Sequence, residues 1–321
     1  MRMVSRRTVK PPPRPRERIP LTSWDLSMLD GDYIKKGLLF APPPFSTAHL
    51  VDHLHASPAD VLVAYYPIAG RFSTDQKRNG KGDGCSIAID CAGQGAEILH
   101  AVADGLAIAD VLPPDADVPR VVHSFFPLDG AANYDGHELP LLAVQVTELL
   151  DGVFIGFAYN HALSDGTTCW NFLNAWAEIA RLRLAPSEAP RALKPPLLQR
   201  WSPDGGAAAP VLLPHADLAA WEAKPTVSLL TLADANGMVM ASSPRFDVYG
   251  CDFGWGKPLA VRSGSANKFD GNVWLFPGRE GGGSIEVKVA LAPEHMAALE
   301  QDNELWDAVS PGVLASINYH I

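Results

Sequence analysis

Two β-prone runs, Leu139 to Leu149 and Val153 to Tyr159, are joined through Asp151-Gly152, and a helix-patterned run from Thr167 to Leu184 follows after a short polar loop. Asp-Gly favours the backbone conformations of a tight hairpin, so the two runs are expected to pair as antiparallel neighbours. Cys169, Phe172, Leu173, Trp176 and Ile179 recur at the spacing of one helical face, which calls for burial against a sheet or another helix. The order strand, turn, strand, loop, helix specifies an α/β fold. It places Asn160 to Gly166 where a strand hands over to a helix.

Elsewhere the pattern is looser. Ser46 to Tyr66 has helical spacing, with Ser46 or Thr47 as N-cap and Pro58 as an interruption that predicts two short helices or a kink. Gln76 to Gly84 reads as a surface turn and Ser86 to Asp90 as a half-buried strand. Val227 to Leu232 and Ile285 to Leu291 read as strands, and Pro293 opens a short helix. Pro186 to Pro214 holds seven prolines and the run GGAAAP, which suits an irregular joint between two domains. A chain of 321 residues is long enough for two domains and for cores that need no disulfide or metal staple.

Charge narrows the function. The net charge is −10, yet the first twenty residues carry seven basic side chains against the single acid Glu17, leaving −16 on the rest. A body this acidic disfavours nucleic-acid binding, which depends on neutralising phosphates. The basic arm lacks the apolar core of a signal peptide and is expected to form a solvated first strand with a lead-in loop. The most apolar stretch, Leu139 to Tyr159, is interrupted by Glu148 and Asp151, so no membrane span is expected. Cys85, Cys91, Cys169 and Cys251 form no CxxC pair, in keeping with free thiols in a reducing cytoplasm. His49 and His53, four apart, have no third ligand at a supporting spacing and are expected to be solvated rather than to bind zinc. GxSxG, Walker A and Rossmann glycine patterns are absent from the sequence. The acidic stretch Asp110 to Asp117 reads as a solvated loop.

The segment Asn160-His161-Ala162-Leu163-Ser164-Asp165-Gly166 carries the chemistry. An imidazole at a strand end titrates near neutrality and can take a proton from a hydroxyl or amine. The same pattern also suits a histidine that merely closes a polar loop. Gly166 relieves crowding where the loop turns into the helix. In Asp252-Phe253-Gly254-Trp255-Gly256-Lys257-Pro258 no group is a good base. That segment reads as a structural loop in which Phe253 and Trp255 pack and Asp252 bonds to backbone or to a basic group.

HALSDG and DFGWGKP together resemble the signatures of the plant BAHD acyl-CoA-dependent acyltransferases, HxxxD and DFGWG. LTSWDLSML from Leu21, YPIAGR from Tyr66, PLLAVQVTEL from Pro140 and SGSANKFDG from Ser263 are also similar, so that the resemblance covers most of residues 4 to 200 and 217 to 308. It implies a two-domain chloramphenicol-acetyltransferase-like fold with a channel between the domains. Residues 1–200 would form the domain carrying HxxxDG, 201–216 an irregular joint, and 217–321 the remainder of a second domain carrying DFGWG.

It further implies transfer of an acyl group from acyl-CoA, as co-substrate, to the hydroxyl or amine of a small plant metabolite. His161 would be the general base, in a monomer with no bound cofactor or metal. Asp165 and Gly166 would organise the loop, with Asp165 paired to an arginine and turned from the substrate. Asp252, Phe253, Gly254, Trp255 and Gly256 would be structural.

The chain departs from the pattern in two places. Only 91 positions separate His161 from Asp252, less than half the usual family interval, so the second domain is expected to be incomplete. In the family pattern SWxRxPxY, Ser243 stands at the tryptophan position and Asp247 at the proline, while Arg245 and Tyr249 are retained. The shortening leaves open a second reading, a truncated non-catalytic relative that at most binds acyl-CoA or a protein partner.

Overall fold

A computed structural model of the chain describes residues 1–77, 83–113, 118–191, 194–200, 209–222, 237–264 and 270–308. The first third holds β1 (Arg2–Val9), β2 (Arg18–Pro20), α1 (Ser23–Leu26), β3 (Ile34–Phe40), α2 (Thr47–Ala56) and α3 (Pro58–Ala64). These are followed by β4 (Arg71–Lys77), β5 (Gly84–Asp90), β6 (Ala96–Val102) and α4 (Ile108–Val111). The middle supplies β7 (Leu142–Glu148), β8 (Val153–Tyr159), α5 (Gly166–Leu184) and α6 (His215–Glu222). The last part adds β9 (Val239–Ser242), β10 (Ala260–Ser263), β11 (Asn272–Pro277), β12 (Ile285–Ala290), α7 (Pro293–Glu300) and α8 (Asn303–Ala308).

The main sheet is six-stranded, in the order β1-β6-β7-β8-β3-β10. β7 and β8 pair antiparallel, with Glu148 opposite Val153. The connection is therefore four residues long, Leu149 to Gly152, rather than a two-residue Asp-Gly turn. Leu149 N–H donates to Gly152 O at 3.0 Å. Asp151 is occupied elsewhere, accepting from Ile108 N–H at 2.7 Å. All seven residues of β8 are buried, because layers cover both faces of this strand. On one face lies α5, whose Trp176 packs edge-on against Phe253 at 5.2 Å and Phe157 at 6.3 Å. On the other lie Phe125 and Phe126, at 5.3 and 5.5 Å from Phe154.

Pro58 separates α2 from α3 and occupies the first turn of α3, where its missing N–H costs nothing. Ser46 caps α2, accepting from His49 N–H at 3.3 Å. β5 is buried at every position rather than half-buried. It is the central strand of a small sheet, flanked by β2 and β4, and Cys85 forms a bridge to Leu213.

The basic arm is held by ion pairs. Arg2, Arg6, Arg7, Arg14, Arg16 and Arg18 face Asp104, Glu97, Asp52, Glu17, Asp90 and Asp75 respectively. β1 is mostly exposed, but its charge is locally neutralised. His53, read from the sequence as solvated, is only partly exposed, and its Nε2 is buried. Burial lowers its pKa. His49 is exposed and lies against Phe45 at 5.0 Å. Among the described residues no group of three or more His, Cys, Asp or Glu could hold a metal, and no helix is long and apolar enough to cross a membrane.

Residues on both sides of the proline-rich joint meet in the main sheet. Of residues 201–216, positions 201–208 lie outside the described residues, as does the expected strand at Val227 to Leu232. Leu213 returns to the first half, exchanging 2.8 Å backbone bonds with Cys85. β10 pairs antiparallel with β3, setting Ser263 opposite Lys36 and Ala260 opposite Leu39. Residues beyond the joint thus complete the sheet of the first half. A second sheet, β12-β11-β9, stands apart from it, with β9 parallel to β11.

Candidate active site

A cavity of ≈ 340 Å³ opens between the main sheet and the second sheet. The first half contributes His161, Asn133, Lys36 and Trp170, and the second contributes Phe246 and Trp274. This volume is within the range of small-molecule sites.

His161 sits two residues beyond the end of β8, and its position is set by backbone bonds. Its N–H donates to Asn133 Oδ1 at 2.7 Å. Asn133 is 1% exposed, and its Nδ2 donates to Met28 O at 2.7 Å and to Asp32 O at 3.3 Å. Asn160 Nδ2 donates to Asn133 O at 2.8 Å, and Asn160 Oδ1 accepts from Ala162 N–H at 3.1 Å. Two buried asparagines thus tie the histidine loop to the segment 28–32 on the cavity wall. Among the described residues none hydrogen-bonds the buried imidazole Nδ1.

On its far side the loop is clamped by Arg200, whose guanidinium donates to Leu163 O at 2.7 Å and to Asp25 Oδ1 at 3.2 Å. Asp25 belongs to a capping box with Thr22, which fixes α1 to the same loop. Ser164 Oγ is 2.5 Å from Tyr159 Oη and lines a separate small crevice with Arg200, so it does not share the cavity with His161. Burial pushes the Tyr159 hydroxyl above its ordinary pKa.

Asp165 is exposed and caps α5, accepting from Thr168 N–H at 2.8 Å. Among the described residues no arginine pairs with it. Its hydrogen-bond partner among the described residues is a helix N-terminus, where a carboxylate is favoured by the first-turn N–H groups. Gly166 lines the cavity. A Cβ there would lie 2.9 Å from the Phe246 ring, so glycine lets the second half close on the loop. Cys169 also lines the cavity, and burial pushes its thiol up to about 12. It stays protonated at neutral pH and is a poor nucleophile.

None of Asp252, Phe253, Gly254, Trp255 or Gly256 lines this cavity. Phe253 is fully buried against Trp176 and Phe40, and Trp255 lies 5.1 Å from Phe40. Asp252 Oδ1 accepts from Gly254 N–H at 2.8 Å and Gly256 N–H at 3.0 Å. Gly254 has φ 113°, a conformation that favours glycine. Arg191 completes the anchor, donating to Gly250 O at 3.0 Å and, through its own N–H, to Glu178 Oε1 at 2.7 Å. Arg181 holds the Glu178 carboxyl below the usual carboxylate range. The motif packs on Phe40 of β3 and Trp176 of α5 ahead of β10, and only beyond it do Ser263 and Gly264 reach the cavity.

Asn133, Arg200, Lys36 and Trp274 were not singled out from the sequence. Asn133 had a weak signal, since asparagine in a polar turn commonly bonds to nearby backbone. Arg200 had none, being 37 positions from the carbonyl it binds.

A sequence model of the Transferase family matches residues 1–204 and 214–306, with the break inside the proline-rich joint. An uncharacterized acetyltransferase of Arabidopsis thaliana is 42% identical over 179 residues, 56% of this chain but 40% of that protein. The match thus spans about two-fifths of that relative's length. The BAHD acyltransferase DCR of Arabidopsis thaliana is 25% identical over 449 positions, covering 95% of this chain and 92% of that protein. That alignment is longer than this chain of 321 residues, so many of its positions have no residue here. The crystal structure of vinorine synthase superposes with a TM-score of 0.61 at 18% identity, covering 96% of this chain and 98% of that one. This likeness establishes the two-domain chloramphenicol-acetyltransferase-like fold. Matched by the family model over most of its length, the chain belongs to the BAHD acyltransferases of the Transferase family.

Proposed function

We propose that this chain transfers an acyl group from acyl-CoA to a hydroxyl or amine of a small plant metabolite, with His161 as general base. The observation that carries the reading is the placement of His161 on the cavity between the two halves, on a loop held from two sides by hydrogen bonds to Asn133 and Arg200. The imidazole takes the proton from the acceptor O–H or N–H as the acceptor atom attacks the thioester carbonyl carbon. The carbonyl π electrons move to oxygen, and the tetrahedral oxyanion then collapses. The C–S bond breaks, and the departing thiolate receives the proton from the imidazolium. A thiol of pKa about 8.5 is a competent leaving group, so the step asks nothing of a metal. The protonated Cys169 and the remote Ser164 support direct transfer over an acyl-enzyme. Asp165 acts through the helix cap and Gly166 through the close approach of Phe246, and both organise the loop. The DFGWG residues fasten β10.

The test is CoA-thiol release from a panel of acyl-CoA donors with pooled alcohols and amines, by the wild type and by His161→Ala. Loss of the base is expected to slow acceptor-dependent release about 10²–10⁴-fold, with the thermal midpoint retained. Release unchanged by the substitution would sink the assignment.

The shortened interval, together with the exposure of Met238, Met240, Ile285 and Val287 around the second sheet, favours one other reading, a non-catalytic relative. That reading requires a folded wild type that releases no thiol with any donor and acceptor, whether or not it binds acyl-CoA.

A further inference from the structure

The second sheet has two faces of different character. In its register Met240 of β9, Val273 of β11 and Val289 of β12 stand side by side, as do Ser242, Leu275 and Val287, and Pro277 stands beside Ile285. Residues paired in this way point to the same side of a sheet, and their chain neighbours point to the other. The inner face therefore carries Val239, Ala241, Asn272 and Trp274, which line the cavity. The outer face is apolar in all three strands, apart from Ser242 at its rim.

That outer face is open. Met240 is 66% exposed, Ile285 52% and Val287 47%. A sheet with an apolar face calls for a second layer, and apolar surface left open on this scale marks a docking site. α7 follows β12 after two residues, yet only its Met296 is buried. Residues 309–321, VSPGVLASINYHI, lie outside the described residues and past the last residue that the family match reaches. They contain no Asp, Glu, Lys or Arg, in contrast to Asp302, Glu304 and Asp307 just before them. On a helical period Val313, Leu314, Ile317 and Ile321 share one side, with Tyr319 on the opposite side.

We infer that residues 311–321 of the same chain dock as a helix on the outer face of the second sheet, seating Ile317 and its helical neighbours against Ile285 and Val287 of β12 and Met240 of β9. Ser310-Pro311 suits the start of such a helix, with serine as N-cap and proline in the first turn. A helix from Pro311 to Ile321 spans about 16 Å, close to the length of the six-residue β12, about 20 Å. Val313, Ala315, Ile317, Tyr319 and Ile321 also alternate as a strand would, but the sheet decides against it. A strand added at an edge of β12-β11-β9 widens the apolar face, whereas a helix laid across it closes it. Charge favours this occupant over a second copy, since each copy carries −10 while the segment has no acid or strong base. The docking is independent of the proposed acyl transfer.

Hydrogen exchange of the full chain, read by mass spectrometry, tests the docking together with a sizing column. Ile317→Asp places a charge on the apolar side of the segment, Tyr319→Asp places the same charge on its other side, and Val287→Asp alters the sheet. Val287 is already half exposed, so that variant keeps the test open if Ile317→Asp fails to fold.

In the wild type the amides of 313–321 are expected to exchange at least about 10-fold more slowly than in the same segment as a free peptide. Ile317→Asp and Val287→Asp are each expected to speed that exchange about 10- to 100-fold, as loss of one buried aliphatic contact provides. Tyr319→Asp is expected to leave it unchanged. Exchange at the free-peptide rate in the wild type overturns the inference. So does an effect of Tyr319→Asp equal to that of Ile317→Asp, which is the mark of a strand. A wild-type dimer that Val287→Asp dissociates, or a Val287→Asp effect confined to residues 223–236, puts another occupant on the face and overturns it as well.

Discussion

Replacing Asn133 by alanine should separate the role of the histidine loop from that of the histidine itself. The side chain makes two short bonds, to His161 N–H and to Met28 O, both at 2.7 Å, and a longer one to Asp32 O at 3.3 Å. At 1% exposure the site admits little water, so removing the amide leaves the partners of the two short bonds unsatisfied. Each buried unsatisfied group costs about 1–3 kcal/mol, giving about 2–6 kcal/mol in total. A domain has only about 5–15 kcal/mol to lose. The main-chain bonds of Asn133, from its N–H to Gly31 O at 2.7 Å and from Asn160 Nδ2 to its carbonyl, survive the substitution, so a loss in the lower half of the range is expected.

Urea unfolding at neutral pH measures that loss, and CoA-thiol release by the same sample should fall with the displaced imidazole. Asn133→Asp sharpens the test. It keeps an acceptor for His161 N–H but turns a carboxylate toward two carbonyl oxygens. Burial and those oxygens raise the folded pKa above the unfolded value of about 4. This variant should therefore come closest to the wild type below that pH and lose stability as pH rises toward the folded value. A cost below about 0.5 kcal/mol for Asn133→Ala, the range of an ordinary surface substitution, would refute the reasoning.

Two further outcomes test the frame around the site. Phe253→Ala should cost about 3–5 kcal/mol in urea unfolding, because Phe253 is fully buried and packs on Trp176 and Phe40; a cost under about 1 kcal/mol would show that the DFGWG loop does not fasten β10. Glu178→Gln should destabilise most at neutral pH. The Arg181 bond lowers the folded pKa of Glu178, so the carboxylate stabilises fully above its unfolded value of about 4.3 and ceases to as pH falls through the folded value. The gap between the two unfolding midpoints should narrow in acid, and a gap independent of pH between 7 and 3 would contradict this role.

The elements nearest the loop were legible because their signals are local. The apolar period of α5 and the β-prone run of β8 follow from residues within one segment, as does the break at Pro58. His161 and Gly166 were visible for the same reason, since the strand-to-helix junction is written in consecutive residues. The hairpin is the instructive exception. Asp-Gly correctly marks the reversal, but the connection is four residues long, and its Asp151 bonds to Ile108, 43 positions away.

By itself the sequence determined an α/β fold, the position of a histidine at a strand end, a shortened interval before DFGWG, and membership of a family through two signatures in the right order. Tertiary structure alone decided what surrounds that histidine. Asn133, Arg200, Lys36 and Trp274 come from segments far apart in the chain, and β10 crosses the proline-rich joint to pair with β3. It also decided that Asp165 caps a helix, and that the basic arm lies neutralised on acidic partners. The physical reason is range. Periodicity and turn chemistry act between neighbours in sequence, whereas strand pairing, buried hydrogen bonds and charge pairing select partners by proximity in space.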